Sequence, residues 1–345
     1  MSMYYATPYV FTPSATLDNG PQLRSIIQAG YRWIQINRDV CPIKTTVPLN
    51  KADLTPVHGL VIEPAPGIEK VLIDSSGIGR NPEVPTDPSY AAFDYQGKVR
   101  PASFLTREAF LNQNEIFVDD PTKYVAGDWI VISDASTDFH KQPLPLDGPM
   151  EVRQVIRVFS GSLVINNVLK KGHPDGAIVA TCVPIRNVII RGLEFTGNSA
   201  VGVHIHYGQH CTIQDITSVN WTGRSLVLID NGGSNNSVID CYCTGTEAGG
   251  GPTQNAWGVV MEGQDSSRMV NSGGEFCGNG SAMNYCIDSV AVDARARRNN
   301  VNVGVYTHSI RSGYIRPRTE RPLILDTYES PENVDCFIFS KRGLS

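Results

Sequence analysis

Apolar and polar residues alternate with a period of two in short runs along most of this chain, and between Asn187 and His308 the runs return at a nearly regular interval. One form is Asn-Val-Ile-Ile-Arg-Gly-Leu-Glu-Phe (187–195). It recurs as Cys-Thr-Ile-Gln-Asp-Ile-Thr-Ser-Val (211–219), Ser-Val-Ile-Asp-Cys-Tyr-Cys (237–243) and Arg-Met-Val-Asn-Ser-Gly-Gly-Glu-Phe (268–276). Anchored on Ile190, Ile213, Ile239 and Val270, the steps are 23, 26 and 31 residues. Between these runs lies a second set: Gly-Val-His-Ile-His (202–206), Leu-Val-Leu-Ile-Asp (226–230), Gly-Val-Val-Met-Glu (258–262), Ser-Val-Ala-Val-Asp (289–293) and Gly-Val-Tyr-Thr-His (304–308). Period-two alternation marks strands. Two or three strands in each repeat describe one coil of a parallel β-helix, whose coils hydrogen-bond to their neighbours. The drift in step fits connecting loops of unequal length.

Ahead of the repeat, residues 18–29 predict a short amphipathic helix. Asp18 or Asn19 stands at the cap, Pro21 in the first turn, Leu23, Ile26 and Ile27 share one face, and Gly30 stops it. An open solenoid end is a template for further strand pairing, and this helix is placed to cover it. Tyr31–Asn37, Leu60–Glu63 and Lys70–Asp74 then read as the first strands of the solenoid. From 102 to 170 the period changes. Runs at 114–120, 127–133, 152–158 and 162–166 predict a small antiparallel β-unit set into the solenoid, with Asp119, Asp120 and Asp128 as turn-formers. The expected division is an N-terminal segment with cap helix (1–30), first coils (31–101), inserted β-unit (102–170) and main β-helix (171–345).

The order "Asp-Asn, helix ending Ala-Gly, strand, Gly-Leu-x-Ile, strand, Gly" resembles the start of pectate-lyase-like right-handed parallel β-helix proteins, above all the tailspike depolymerases of bacteriophages. The run Val-Asp-Asp (118–120) followed by Ala-Gly-Asp-Trp-Ile-Val-Ile-Ser (126–133) is similar to inserts in tailspikes and related carbohydrate-active solenoids. The resemblance implies an all-β, single-stranded right-handed parallel β-helix with an N-terminal cap helix and an inserted antiparallel β-unit. It further implies a homotrimer, a place on the phage tail or outside the cell after lysis, and a bacterial surface polysaccharide as partner, with other virion tail proteins beside it. No segment before Asp18 is long enough for a head-binding domain, and none after the last coils for a separate trimerisation domain, so a full tailspike layout is not expected.

Composition narrows the picture only modestly. Gly makes up 32 of 345 residues and the net charge is −5 with 18% charged residues, a balance that does not point to nucleic acid. No run of 18 apolar residues calls for membrane insertion, and residues 1–13 lack the basic and apolar regions of a signal peptide. The eight cysteines lack metal-ligand spacing, and no cofactor is expected. Buried free thiols in a reducing compartment are the expected state.

Aligning the second set of runs by their apolar residues puts His206, Asp230, Glu262, Asp293 and His308 in one column. Equivalent residues on successive coils stand about 4.8 Å apart, so the three carboxylates form a ladder with an imidazole at each end. Asp230, Glu262 and Asp293 are the candidate catalytic residues: glycoside hydrolysis needs a protonated acid and an ionised carboxylate, about 5 Å apart for retention and about 6.5–9.5 Å for inversion. Substrate-binding candidates are His206, Arg224, Trp221, Trp257, Tyr207 and His308, with Tyr285 beside them. Their rings and guanidinium are suited to sugar faces and sugar carboxylates. His204 and His206 share one face of their strand, and hydrogen bonding of His206 to a carboxylate is expected rather than metal ligation. The leading expectation is hydrolysis of a bacterial polysaccharide. A non-catalytic virion or receptor-binding rod, and a polysaccharide lyase or epimerase, stay open beside it. Polygalacturonase-like, epimerase and calcium-lyase motifs are not recognised in the solenoid.

Overall fold

In a computed structural model, which describes residues 7–51, 53, 55–79, 90–95, 97, 103–134, 150–223, 225–245, 257–277, 279–297, 301–306, 309, 311–319 and 336–339, the chain winds as a parallel β-helix. A larger sheet runs from Tyr9–Phe11 through Trp33–Ile36, Val61–Pro64, Ile189–Thr196, Thr212–Ser218, Ser237–Ile239, Arg268–Val270, Val290–Val292 and Gly313–Ile315 to Phe337–Phe339. A second row beside it contains Tyr242–Thr244, Gly273–Glu275, Arg295–Arg297 and Arg318–Thr319. The smaller sheet stacks Val47–Pro48, Ala91–Tyr95, Val201–His206, Ser225–Asp230, Trp257–Glu262, Asn279–Asn284 and Val301–Tyr306, every neighbouring pair parallel. One apolar core fills the space between, with Ile62, Ile190, Ile213, Val238 and Met269 from the larger sheet and Phe93, Val203, Val227, Val259 and Met283 from the smaller.

Polar side chains define the corners. Where the larger sheet bends between its two rows, one residue per coil takes a left-handed conformation: Gly192 (φ 68°), Asp215 (52°), Asp240 (54°), Asn271 (50°), Asp293 (53°) and Arg316 (50°). Asn and Asp tolerate that region better than other residues with a Cβ, so the repeated Asn and Asp after each Val or Ile pair is corner chemistry. A second device lies inside the core. The backbone N–H of Cys211 donates to Asn236 Oδ1, that of Asn236 to Ser267 Oγ, that of Ser267 to Ser289 Oγ and that of Ser289 to Ser312 Oγ, at 2.9–3.2 Å. Each coil is thereby tied to the next through its N–H groups, while the carbonyls of Cys211, Asn236, Ser267 and Ser289 accept from the following coil.

The register corrects the sequence alignment in one coil. Ile213 pairs with Val238, not Ile239, and Val238 in turn pairs with Met269. Val238 is buried and Ile239 half-buried, and two adjacent β-branched residues left the choice of face open to a one-residue slip.

The helix forms at Gly20–Gln28 and buries Leu23, Ile26 and Ile27 against the first coils, as the spacing predicts. Its start is held differently: Asp18 Oδ1 accepts from the Gly20 N–H at 2.9 Å, while the Asn19 amide donates to Ser14, Leu17 and Pro42 carbonyls. The insert is larger than its four strongest runs imply. Ser103–Phe104, Ile178–Cys182, Trp129–Ser133, Met150–Val158, Ser162–Ile165 and Glu115–Phe117 form an antiparallel six-stranded sheet, and a Leu105–Val118 bridge joins its edges into a barrel. Its last strand falls within the stretch assigned from sequence to the main solenoid. Asp119, Asp120 and Asp128 accept backbone N–H bonds from Phe104, Thr122 and Val125, as turn-formers do.

The barrel has its own core around Ile116, Ile130, Val155 and Leu163. Its outer residues Val131, Met150 and Val152 pack on the solenoid turns at Tyr207, Gly232 and Gly263, where a Cβ on either glycine would press against Met150. Below lies a buried ionic network. Arg153 pairs with Glu151 and, at 3.2 Å, with Asp265, Lys170 reaches Asp265 at 2.6 Å, and Lys171 pairs with Asp134. His173, fully buried, lies 2.7 Å from Asp134 and 3.2 Å from Glu151. Seven of the cysteines are buried and all are free. Burial pushes Cys41, Cys241 and Cys286 up to about 12, the state of packed, unreactive thiols.

Candidate active site

The smaller sheet aligns His206 with Asp230, and because Ile229 pairs with Met261 the next residues, Asp230 and Glu262, are also neighbours. Glu262 then pairs with Asn284, and Asn284 with Tyr306. The column therefore reads His206, Asp230, Glu262, Asn284, Tyr306. Asp293 does not belong to it. The run Ser-Val-Ala-Val-Asp lies in the larger sheet, where Asp293 forms a left-handed corner and its carboxylate accepts from Arg316 at 2.9 Å. The strand that takes its place, Asn-Gly-Ser-Ala-Met-Asn (279–284), is poor in large apolar residues and carries little strand signal. His308 and Arg224 lie outside the described residues. The register sets Gly304 opposite Ala282, so the final run is displaced by two positions from the alignment that placed His308 in the column.

The outward-facing position two residues earlier in these strands adds the element missed from sequence. His204 lies opposite Asp94 on the preceding strand. Its Nδ1 stands 2.7 Å from Asp94 Oδ1, and its Nε2 stands 3.2 and 3.3 Å from the two oxygens of Asp230. Burial of this fully enclosed ring disfavours charge, but Asp230 and Asp94 outweigh it and push its pKa up to about 9. His204 is thus an imidazolium clamped between two carboxylates. The signal for Asp94 was the alternation in Ala-Ala-Phe-Asp-Tyr (91–95), a strand by pattern but isolated from the clear repeats.

His206 is the opposite case. Its burial, with the His204 cation 4.1 Å away between ring centroids, holds it neutral against the pull of Asp230, with a pKa down to about 3. The Asn231 amide donates to His206 Nδ1 at 2.6 Å, leaving the proton on Nε2, which is buried without a hydrogen-bond partner. Two adjacent imidazoles are thereby driven to opposite protonation states, a pattern characteristic of acid–base sites. His204, His206 and Asp230 also offer ligand atoms within 4.8 Å of one another, the one such grouping among the described residues.

The aromatic candidates divide. Trp221 is buried in the solenoid core with its ring edge-on to Phe195, and Tyr207 is buried beneath the barrel. Neither presents a face to a sugar. Tyr285 is buried as well, whereas Trp257 is half-buried at the start of its strand. Asp94, His206, Asp230 and Asn284 each keep 7–8% of their surface exposed, and Glu262 is half-buried. The open edge of the column therefore lies on the Glu262 side.

Paired parallel sheets, a helix over the first coils, a barrel insert and an acid–imidazole cluster at its junction define a parallel β-helix fold. No family model matches the chain, and no curated protein does. Among solved structures it is similar to the Gp54 tailspike of Acinetobacter baumannii bacteriophage AP22, in complex with A. baumannii capsular saccharide (12% identity, 90% of this chain and 59% of that one, TM-score 0.40). It is similar also to the tailspike gp61 of Pseudomonas phage phi297 (9%, 87% and 57%, TM-score 0.41) and to a glycoside hydrolase (7%, 97% and 96%, TM-score 0.34). The chain spans a little under three fifths of the length of those two tailspikes. No helix among the described residues is long and apolar enough to cross a membrane.

Proposed function

We propose that this chain binds a bacterial surface polysaccharide and hydrolyses it, with Asp230 as the nucleophile and Glu262 as the acid and base. The observation that carries this reading is the arrangement Asp94–His204–Asp230 beside Glu262. The His204 imidazolium sets a positive charge against both oxygens of Asp230, at 3.2 and 3.3 Å, and Glu262 stands one strand away, about 4.8 Å in backbone spacing. That is close to the separation of about 5–5.5 Å between the carboxyl groups of retaining glycosidases.

Asp230 attacks the anomeric carbon while Glu262 gives its proton to the departing glycosidic oxygen. The resulting glycosyl ester is then opened by water, whose proton returns to Glu262. The Nε2–H of His206 is buried without a partner, so in this reading it serves a water or hydroxyl only once one enters the site. Trp257, half-buried at the head of the Glu262 strand, is the remaining described aromatic for stacking on a ring. In this reading the chain works as a homotrimer on a phage tail, seated among other tail proteins, with the solenoid as a rigid shaft.

The low exposure of Asp230 favours a second reading, in which the cluster only fastens coils together and the solenoid is a non-catalytic receptor-binding rod. Reducing-end release from capsular and lipopolysaccharide glycans separates the two. Asp230→Asn and Glu262→Gln should each lower release at least about a hundredfold with an unchanged circular dichroism spectrum. Full activity in both folded variants would remove the proposed pair, and absorbance of an unsaturated sugar would replace hydrolysis with elimination.

A further inference from the structure

The chain carries net charge −5, yet seven of its 29 Lys and Arg residues fall between Arg295 and Arg321. Four of them share one surface. Arg295 and Arg297 sit either side of the buried Ala296, so both side chains leave the outer face of the larger sheet, and both are exposed. Arg318 pairs in register with Arg295 on the next coil, and Arg316 stands at the corner just before it. The side chains of Arg316 and Arg318 are 53% and 65% exposed.

Two carboxylates lie among the four. Asp293 serves both Arg316, at 2.9 Å, and Arg318, at 3.8 Å, and Glu275 is the register partner of Arg297. Like charges directly opposite on paired strands are destabilising, so the Arg295–Arg318 pair is a local cost to the solenoid. An anion laid across the two strands removes that cost. Planar guanidinium forks at strand spacing are suited to carboxylates, each met by two parallel hydrogen bonds.

We propose that the outer face formed by Arg295–Arg297, Arg316 and Arg318 binds the carboxylates of an acidic polysaccharide, a uronic-acid type of chain. This rests on the reading of the protein as a polysaccharide binder and names the charge class of its ligand. Among the described residues, a local excess of two positive charges over two coils matches carboxylates spaced one or fewer per sugar. It is a poor match for double-stranded DNA, which carries a charge for about every 1.7 Å of axis and would meet the net negative charge of the rest of the chain.

The test is affinity electrophoresis of the full chain through gels containing polygalacturonate, its methyl ester or neutral dextran, at low and high salt, with a single-stranded oligonucleotide as competitor. Polygalacturonate should retard the protein, salt should relieve the retardation, and ester and dextran should not retard it. The double variant Arg295→Gln/Arg318→Gln should weaken binding about tenfold, while Arg24→Gln, an exposed charge on the cap helix, should change nothing. Equal binding of ester and acid, wild-type binding by the double variant, or displacement by the oligonucleotide at lower concentration than by free galacturonate oligomers would each overturn it. The hydrolysis assay on Asp230→Asn and Glu262→Gln does not depend on this surface, so loss of one result leaves the other standing.

Discussion

His204 and His206 stand two residues apart on one strand face, yet burial and neighbours send them in opposite directions, and stability should record the difference. The folded pKa of His204, about 9, lies above its unfolded value of about 6.5, so the native state holds a proton the unfolded chain has released. Its stabilisation is full below about pH 6.5 and is lost as pH rises through about 9. His206, held down to about 3, must gain a proton on unfolding below about pH 6.5, so its contribution is lost as pH falls towards 3. The melting temperature should therefore be highest near pH 6.5 and decline to either side. In His204→Gln the alkaline decline should become shallower, with His173, whose pKa Asp134 and Glu151 raise against its burial, supplying the part that remains, and an unchanged alkaline limb in that variant would show that the imidazolium is not there. The sequence made His206 and Asp230 legible because the apolar count on their strands is clean. It misplaced Asp293 because corner residues and strand-terminal residues are both Asp after a β-branched residue at the end of an apolar run, and only the pairing partner tells them apart. Asp94 escaped notice because its strand is a coil away from the clear repeats.

At the scale of elements, the period-two pattern was enough to expose the solenoid, the cap helix and the existence of an insert, since each depends on local alternation or a 3.6-residue face. Register was less legible: Val238–Ile239 offered two apolar residues for one inward position, and a strand as weakly apolar as Asn279–Asn284 was invisible to a hydrophobic count. The ladder of Asn236, Ser267, Ser289 and Ser312 leaves no mark in a hydrophobic count, although it satisfies buried backbone N–H groups from coil to coil. Ser267→Ala leaves the Asn236 N–H without its acceptor, and Asn236→Ala does the same to Cys211 while deleting the amide bonds to Gly208 and Gln264. Each variant should lose about 1–3 kcal/mol in denaturant unfolding, with the Asn236 change the larger. A Ser267→Ala protein as stable as the parent would mean that the ladder is not a source of coil stacking.

At the scale of the whole molecule, the barrel and the solenoid are joined through charges that sequence alone could not pair, because Arg153, held by Glu151, meets Asp265 more than a hundred residues away. Asp265, itself buried, answers both the buried Arg153 and the half-buried Lys170. Asp265→Ala should cost about 3–5 kcal/mol, since removing one member of a buried ion group strands the others. A loss below about 1 kcal/mol, as for a surface pair, would show the junction to be open to water. The junction matters for function because it fixes the barrel over the turns that follow His206, Asp230 and Glu262. The most direct measurement of that arrangement is the anomeric configuration of the first product released from a cleaved glycan, followed by proton NMR before mutarotation. The proposed pair, with its carboxyl groups about 5 Å apart, predicts retention; an inverted product would mean that Asp230 and Glu262 are not the reacting pair.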